Sequence, residues 1–436
     1  MSGDKLDRAL WDAAIPEPPA AEERGRQIVA AAFAQREGGD RGGRSELRGG
    51  RTPQTSEGQG RRSLPRLALG LSLATLLAAL LLSPAGAAVR DWVDDALTTG
   101  APPPEPTLAR VPGGGRLLVQ TGEGPVVVEP DGARRLLGDY ESASWSPRGL
   151  FVVVARGRTL SALEPDGTPR WSLTSEKRVA FPGRLMAAPS WSPSGERIAY
   201  RSGSDLRVIA GDGTQDRLLA GSIAAGSPPR EGVSPAFSPA WSPTGENELA
   251  YVTGAGRLQI LDSETGAVLT GAPALRRIAE MDWADGGRKI LEASRGTIRL
   301  RPVLPAGHPS RPALGKARRL PVPPGATVND VDLAPQSPLV AASVTYWRKH
   351  GTYGEVLIYR PGQSPQTLLR VPGSLWQVEW SPDGKRLFVA WPGADQWLFL
   401  PLGRGEGRAF SHISRTIAPS GRPTSFPQLE GWCCRR

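Results

Sequence analysis

Ten residues, Trp191-Ser192-Pro193-Ser194-Gly195-Glu196-Arg197-Ile198-Ala199-Tyr200, return along the chain, and nothing else in the sequence restricts the fold so strongly. Close copies begin at Trp145 (WSPRGLFVVV), Trp241 (WSPTGENELAYV) and Trp380 (WSPDGKRLFVA), with weaker ones at Trp283 (WADGGRKILEA) and Leu333 (LAPQSPLVAASV). A period of roughly forty to fifty residues filled with strand-forming side chains specifies a propeller of four-stranded blades.

Inside each copy Ser, Pro and Gly fall at positions i, i+1 and i+3 of a type I turn, which joins two strands. A short apolar strand ending in the Trp precedes the turn, and a β-rich run such as RLFVAW (386–391) follows it. A second hairpin turns at Asp131-Gly132, Asp166-Gly167, Asp212-Gly213 or the looser Asp262 to Gly266, each between alternating apolar runs. Each unit thus reads as four antiparallel strands, with the Trp at the end of the innermost one. The chain has 13 Trp against 8 Phe and 6 Tyr, as expected if Trp is the packing unit between blades.

The Trp-Ser-Pro-x-Gly copies resemble the repeats of the bacterial TolB-type, WD40-like (PD40) β-propeller family, whose blades carry W-S-P-D-G before an aliphatic-aromatic strand. Trp380 to Gly384 matches that pattern in full, whereas Trp145, Trp191 and Trp241 are followed by Arg, Ser and Thr in place of Asp. The resemblance spans roughly three quarters of the chain and implies an all-β propeller, here in a membrane-anchored form if the uncharged stretch 67–89 spans a bilayer.

Strand counting sets the number of blades. The run RLLVQTGEGPVVVEPDGARRLLG (116–138) holds three strands with no inner strand before them. The tail FPQLEGWCC (426–434) aligns with LWQVEWSP, placing Trp432 on Trp380, and has no outer strands after it. Pairing the tail with the first three strands removes an exposed edge and closes seven blades. Six blades, the number familiar from the resembling family, is the alternative. The repeat residues are therefore Trp145, Trp191, Trp241, Trp283, Trp380 and Trp432.

Ahead of the propeller, residues 1–37 read as a cytoplasmic segment whose stretch 20–36 forms a short amphipathic helix with Ile28, Val29, Ala32 and Phe33 on one side. Residues 38–66 are Gly-, Arg- and Ser-rich and read as a disordered basic linker. Residues 67–89 carry no charge over a length that suits a transmembrane helix, with Arg61, Arg62 and Arg66 before them and Asp91, Asp94 and Asp95 after Arg90. That asymmetry puts the N-terminus in the cytoplasm and the propeller outside the cell membrane as a single-pass protein. Ala85-Gly86-Ala87 also has the form of a signal-peptidase site, so cleavage after Ala87 is the alternative. Residues 90–106 read as a Pro-rich stalk and 107–436 as the propeller. The net charge of +10 falls mostly on the propeller, where anionic wall polymers, lipid headgroups or acidic proteins are the partners that fit, not nucleic acid.

Catalytic and metal motifs are missing from the sequence. His308, His350 and His412 have no metal-ligand spacing, and the nearest approach to a G-x-S-x-G elbow, Gly70-Leu71-Ser72, lies in the apolar span. Asp330 and Asp332 read as a strand-edge pair, and Pro112-Gly113-Gly114-Gly115 as a tight turn. The only cysteines, Cys433 and Cys434, leave three outcomes open: a vicinal disulfide, an intermolecular bridge, or two buried thiols. The expectation is a non-enzymatic binding or scaffold module for a protein or cell-envelope ligand, without cofactor or metal. A transmembrane sensor whose helix at 20–36 docks a cytoplasmic partner such as a sigma factor is the alternative.

Overall fold

The computed structural model describes residues 104–105, 107–179, 188–223, 239–244, 247–307, 311–335, 337–349, 351–418, 420–421 and 425–434. Their strands form seven sheets, each built on four antiparallel strands laid side by side. Blade 1 runs from Ser142–Trp145 through Val152–Arg156 and Thr159–Leu163 to Pro169–Thr174. Blades 2 to 6 repeat the plan from inner strands Ser190–Trp191, Ala240–Trp241, Glu280–Ala284, Ala326–Leu333 and Val378–Trp380. In blade 4 the long strand Thr297–Gly307 pairs with two short segments, Arg311–Leu314 and Arg318–Leu320.

Blade 7 is built from both ends of the described chain. Gln428–Cys433 pairs antiparallel with Arg116–Thr121, Leu117 facing Trp432, and Gly124–Val128 and Arg134–Leu136 complete the sheet. The inner strands touch their neighbours in chain order and the last touches the first, so seven blades close a ring. Pro104–Glu105 adds a parallel strand on Ala409–Phe410 at the outer edge of blade 6, so the first described strand begins ahead of residue 107.

The Ser-Pro-x-Gly turn has a specific bonding pattern. The Gly N–H donates to the Ser carbonyl at Gly149, Gly195 and Gly384, each with positive φ. The buried Ser hydroxyl then accepts the N–H five residues on, at 3.0 Å from Phe151 and from Arg197 and 2.9 Å from Arg386. The Ser hydroxyl thus gives the N–H at the mouth of the turn a hydrogen-bond partner.

The core is divided by blade interface, with one apolar cluster between each neighbouring pair. At the 6–7 junction Phe388, Trp397, Phe399 and Trp432 meet edge to face, ring centroids 5.3 to 5.6 Å apart. No helix among the described residues is long and apolar enough to cross a membrane. The stretches 20–36 and 67–89, on which the anchor and the cytoplasmic helix rest, lie outside the described residues.

Candidate functional site

Inner strands of adjacent blades run side by side without pairing, so their backbone groups need other partners. The repeat supplies them through the Trp and the residues one and three places before it. The indole N–H of Trp241, Trp283 and Trp380 donates to the carbonyl one place before the aligned residue of the preceding blade. These acceptors are Ser190, Ala240 and Asp332, at 2.9, 2.8 and 3.2 Å. Trp432 turns instead to the Gly114 carbonyl at 2.9 Å. Gly115 must be glycine there, because a Cβ would lie 2.6 Å from the Cys433 carbonyl oxygen. The Gly-rich run 112–115 is therefore a cradle for the closing strand.

On the channel side, carboxylates of one blade accept backbone N–H groups of the next. Glu280 takes Val331 N–H at 3.0 Å and Asp330 takes Val378 N–H at 3.0 Å. Asp332 and Glu379 each accept, at 2.6 Å, from Trp380 N–H and Trp432 N–H respectively. Gln377 makes the corresponding double contact with Leu429, 3.0 Å in each direction. Asp330 and Asp332 are thus channel residues of an inner strand, not a strand-edge charge pair. The carboxylates gather in blades 4 to 6, whereas Ser144, Ser190 and Ala240 hold the matching place in blades 1 to 3. They bound a cavity of about 350 Å3.

Burial, reinforced by neighbouring carboxylates, raises the proton affinity of Glu280, Asp332 and Glu379 in this half of the channel. Burial lifts Asp332 to about 8 despite the opposing N–H bonds from Trp380 and Leu333. Burial, then the charges of Asp330 and Asp332, pushes Glu280 well up, and Glu280 and Asp330 bond to each other. Glu379 rises through burial and the neighbouring Asp332. Asp282 has surface open to the channel but is ringed by protein atoms, and that loss of bulk hydration takes it up to about 6. Among the described residues no group of His, Cys, Asp and Glu side chains has the geometry of a metal site.

A second and larger cavity, a cleft of about 810 Å3, lies between blades 4 and 5 on the face that carries the Ser-Pro-x-Gly turns. It shares Leu333 and Pro335 with the channel cavity. Here both inter-blade links are missing at this end of the inner strands. Leu333 offers no indole to the Asp282 carbonyl. The Leu333 N–H donates to its own Asp332 at 2.7 Å, and Asp282 accepts from its own neighbour Trp283 at 2.7 Å.

The remaining sequence candidates fall as follows. Trp145 and Trp191 stand at their repeat positions, but their indole nitrogens find no partner among the described residues; Arg116 lies over the Trp145 ring at 4.9 Å. Cys433 and Cys434 are bonded to each other. Alternation along a strand would separate them, but Cys434 lies just past the strand with φ 53°, which brings the second sulfur round. His412 precedes the helical turn Ile413–Thr416, its carbonyl accepting the Arg415 and Thr416 N–H groups. His308, His350 and Gly70 to Ser72 lie outside the described residues. The carboxylates Glu280, Asp282 and Glu379 went unread in the sequence, although stacking the repeats on their Trp would have aligned Asp282, Asp332 and Glu379 in one column.

Sheet topology and inner ring together define a seven-bladed β-propeller closed by its own C-terminal strand. No family model matches the chain, and no curated protein does. Among solved structures it is similar to the Cps50 (Swd1) β-propeller domain of Myceliophteria thermophila, at 17% identity and TM-score 0.46, covering 63% of this chain and 93% of that one. It is also similar to a chain of the mitotic checkpoint complex, at 12% and 0.47, covering 83% and 100%. The C-terminal WD40 domain of Sif2 follows, at 12% and 0.46, covering 72% and 86%.

Proposed function

We propose that this propeller is a non-enzymatic binding module of the TolB-like kind, held outside a bacterial cell membrane by the segment 67–89, and that it docks a protein partner on its Ser-Pro-x-Gly face. The observation that carries the reading is the division of labour in the site. The channel carboxylates Glu280, Asp330, Asp332 and Glu379 are engaged in holding inner strands together. The continuous recess beside them, about 810 Å3 in volume, has the size of a recognition pocket on a rigid ring.

A photo-crosslinking amino acid placed at Ser337, on that face, is expected to capture a protein from the cell envelope in living cells. The same group at Ala255, on the turn at the opposite face, is expected to capture none. Equal labelling from both positions, or none from Ser337, would overturn the reading. Release of the adduct into the soluble fraction without detergent would remove the membrane anchor from it.

A further inference from the structure

At the cleft between blades 4 and 5 the repeat lacks its Trp altogether. At the junctions before Trp241, Trp283 and Trp380, the ring of the following blade enters the wedge and its indole N–H binds the preceding inner strand. Leu333 holds that place in blade 5 and fills less of it. Its side chain lies with Leu300 and Leu320 over the apolar cluster of the 4–5 interface, leaving an apolar floor only partly covered. The Asp282 carbonyl occupies the position of the carbonyls that accept an indole elsewhere.

Charge sets the character of the rim. The lining includes five cations, Arg288, Lys289, Arg318, Arg319 and Arg360, against the two carboxylates Asp282 and Asp285. Asp285 already pairs with Arg288 and Lys289. Arg318 and Arg319 are exposed and make no ion pair among the described residues. An apolar slot at the place an indole fills in three other blades, bordered by guanidinium groups without ion pairs, is complementary to an aromatic side chain flanked by carboxylates.

Building on the protein-docking reading above, we propose that this cleft binds an extended acidic peptide segment of the partner. Its Trp side chain enters the wedge left open by Leu333 and donates its N–H toward the Asp282 carbonyl. The peptide carboxylates pair with Arg318 and Arg319. Tryptophan and Arg-carboxylate anchors of this kind concentrate binding energy in a few contacts.

Random heptapeptides displayed on phage and panned on the full chain in detergent test this. The wild type is expected to enrich peptides with a Trp flanked by Asp or Glu. An enriched peptide, dye-labelled, should bind Leu333→Trp more weakly by roughly tenfold or more, since that variant fills its own wedge. The exposed double variant Arg318→Glu/Arg319→Glu should lose the same peptide, and it still decides the matter if Leu333→Trp fails to fold. No enrichment, a consensus without Trp or with basic flanks, or binding unchanged in a folded variant would overturn the proposal. Enrichment obtained only when Trp92→Ala is also present would overturn it too, because the occupant would then be the chain's own acid-flanked Trp92. Crosslinking from Ser337 that persists in Leu333→Trp would leave the docking face standing while removing this groove from it.

Discussion

Asp332 shows how one channel side chain can serve two ends. Its carboxylate receives the Trp380 N–H at 2.6 Å, while burial raises its pKa to about 8. A carboxyl whose folded pKa exceeds its unfolded value of about 3.9 holds more protons folded than unfolded across that interval. Its contribution to stability is therefore fully present below pH 4 and is lost as pH rises toward 8. Glu280 and Glu379 act in the same direction. Asp332→Asn keeps an acceptor for Trp380 and removes the titration, so the melting temperature of the variant should fall less than that of wild type between pH 5 and pH 8. Scanning calorimetry of both proteins at the two pH values checks this, and parallel slopes would contradict it. The Trp of each repeat was legible as a packing residue. Its indole hydrogen bond was not, because the acceptor belongs to another blade some forty or fifty residues away.

Within a blade, the four-strand plan followed from turn chemistry and alternation, and blade 4 carries an addition that neither pattern signals. Glu292, on its second strand, is fully buried and faces Arg299 and Arg301 on the third. Arg301 Nε donates to it at 3.0 Å, and the Leu275 N–H donates at 2.8 Å. This group fastens the strand pair to the loop arriving from blade 3. Removing the charge leaves two guanidinium groups without their counter-ion in a dry site, at a cost of about 3 to 5 kcal/mol. Glu292→Gln is expected to lower the unfolding free energy by that amount, read as a lower urea midpoint at an unchanged slope. In the sequence Glu292 looked like any polar residue on a half-buried strand, since alternation gives the facing of a side chain and not its partners across the sheet.

Ring closure belongs to the whole molecule. Gln428–Cys433 is the only inner strand of the described sheets that follows its own outer strands in the chain, and it buries Leu429 and Trp432 against blades 6 and 7. A chain ending at Phe426 would expose the edge of Arg116–Thr121 and lose those side chains, each worth about 3 kcal/mol or more. Its melting temperature is expected to fall by about 10 °C or more, as measured by circular dichroism. An unchanged value would mean that the seventh blade does not lock the ring. The asymmetry of the channel, acidic over blades 4 to 6, also exists only at this scale.

The sequence by itself determined the repeat, its turns and strands, and even the number of blades, because each rests on local chemistry or on counting unpaired strands. Only the tertiary structure decided what the repeat's exceptions mean. Leu333 in place of Trp is one weak copy among six in the sequence. In the ring it leaves one end of the 4–5 junction without its indole link and borders a cleft, because a wedge is shaped by two blades at once and neither blade's residues describe it alone.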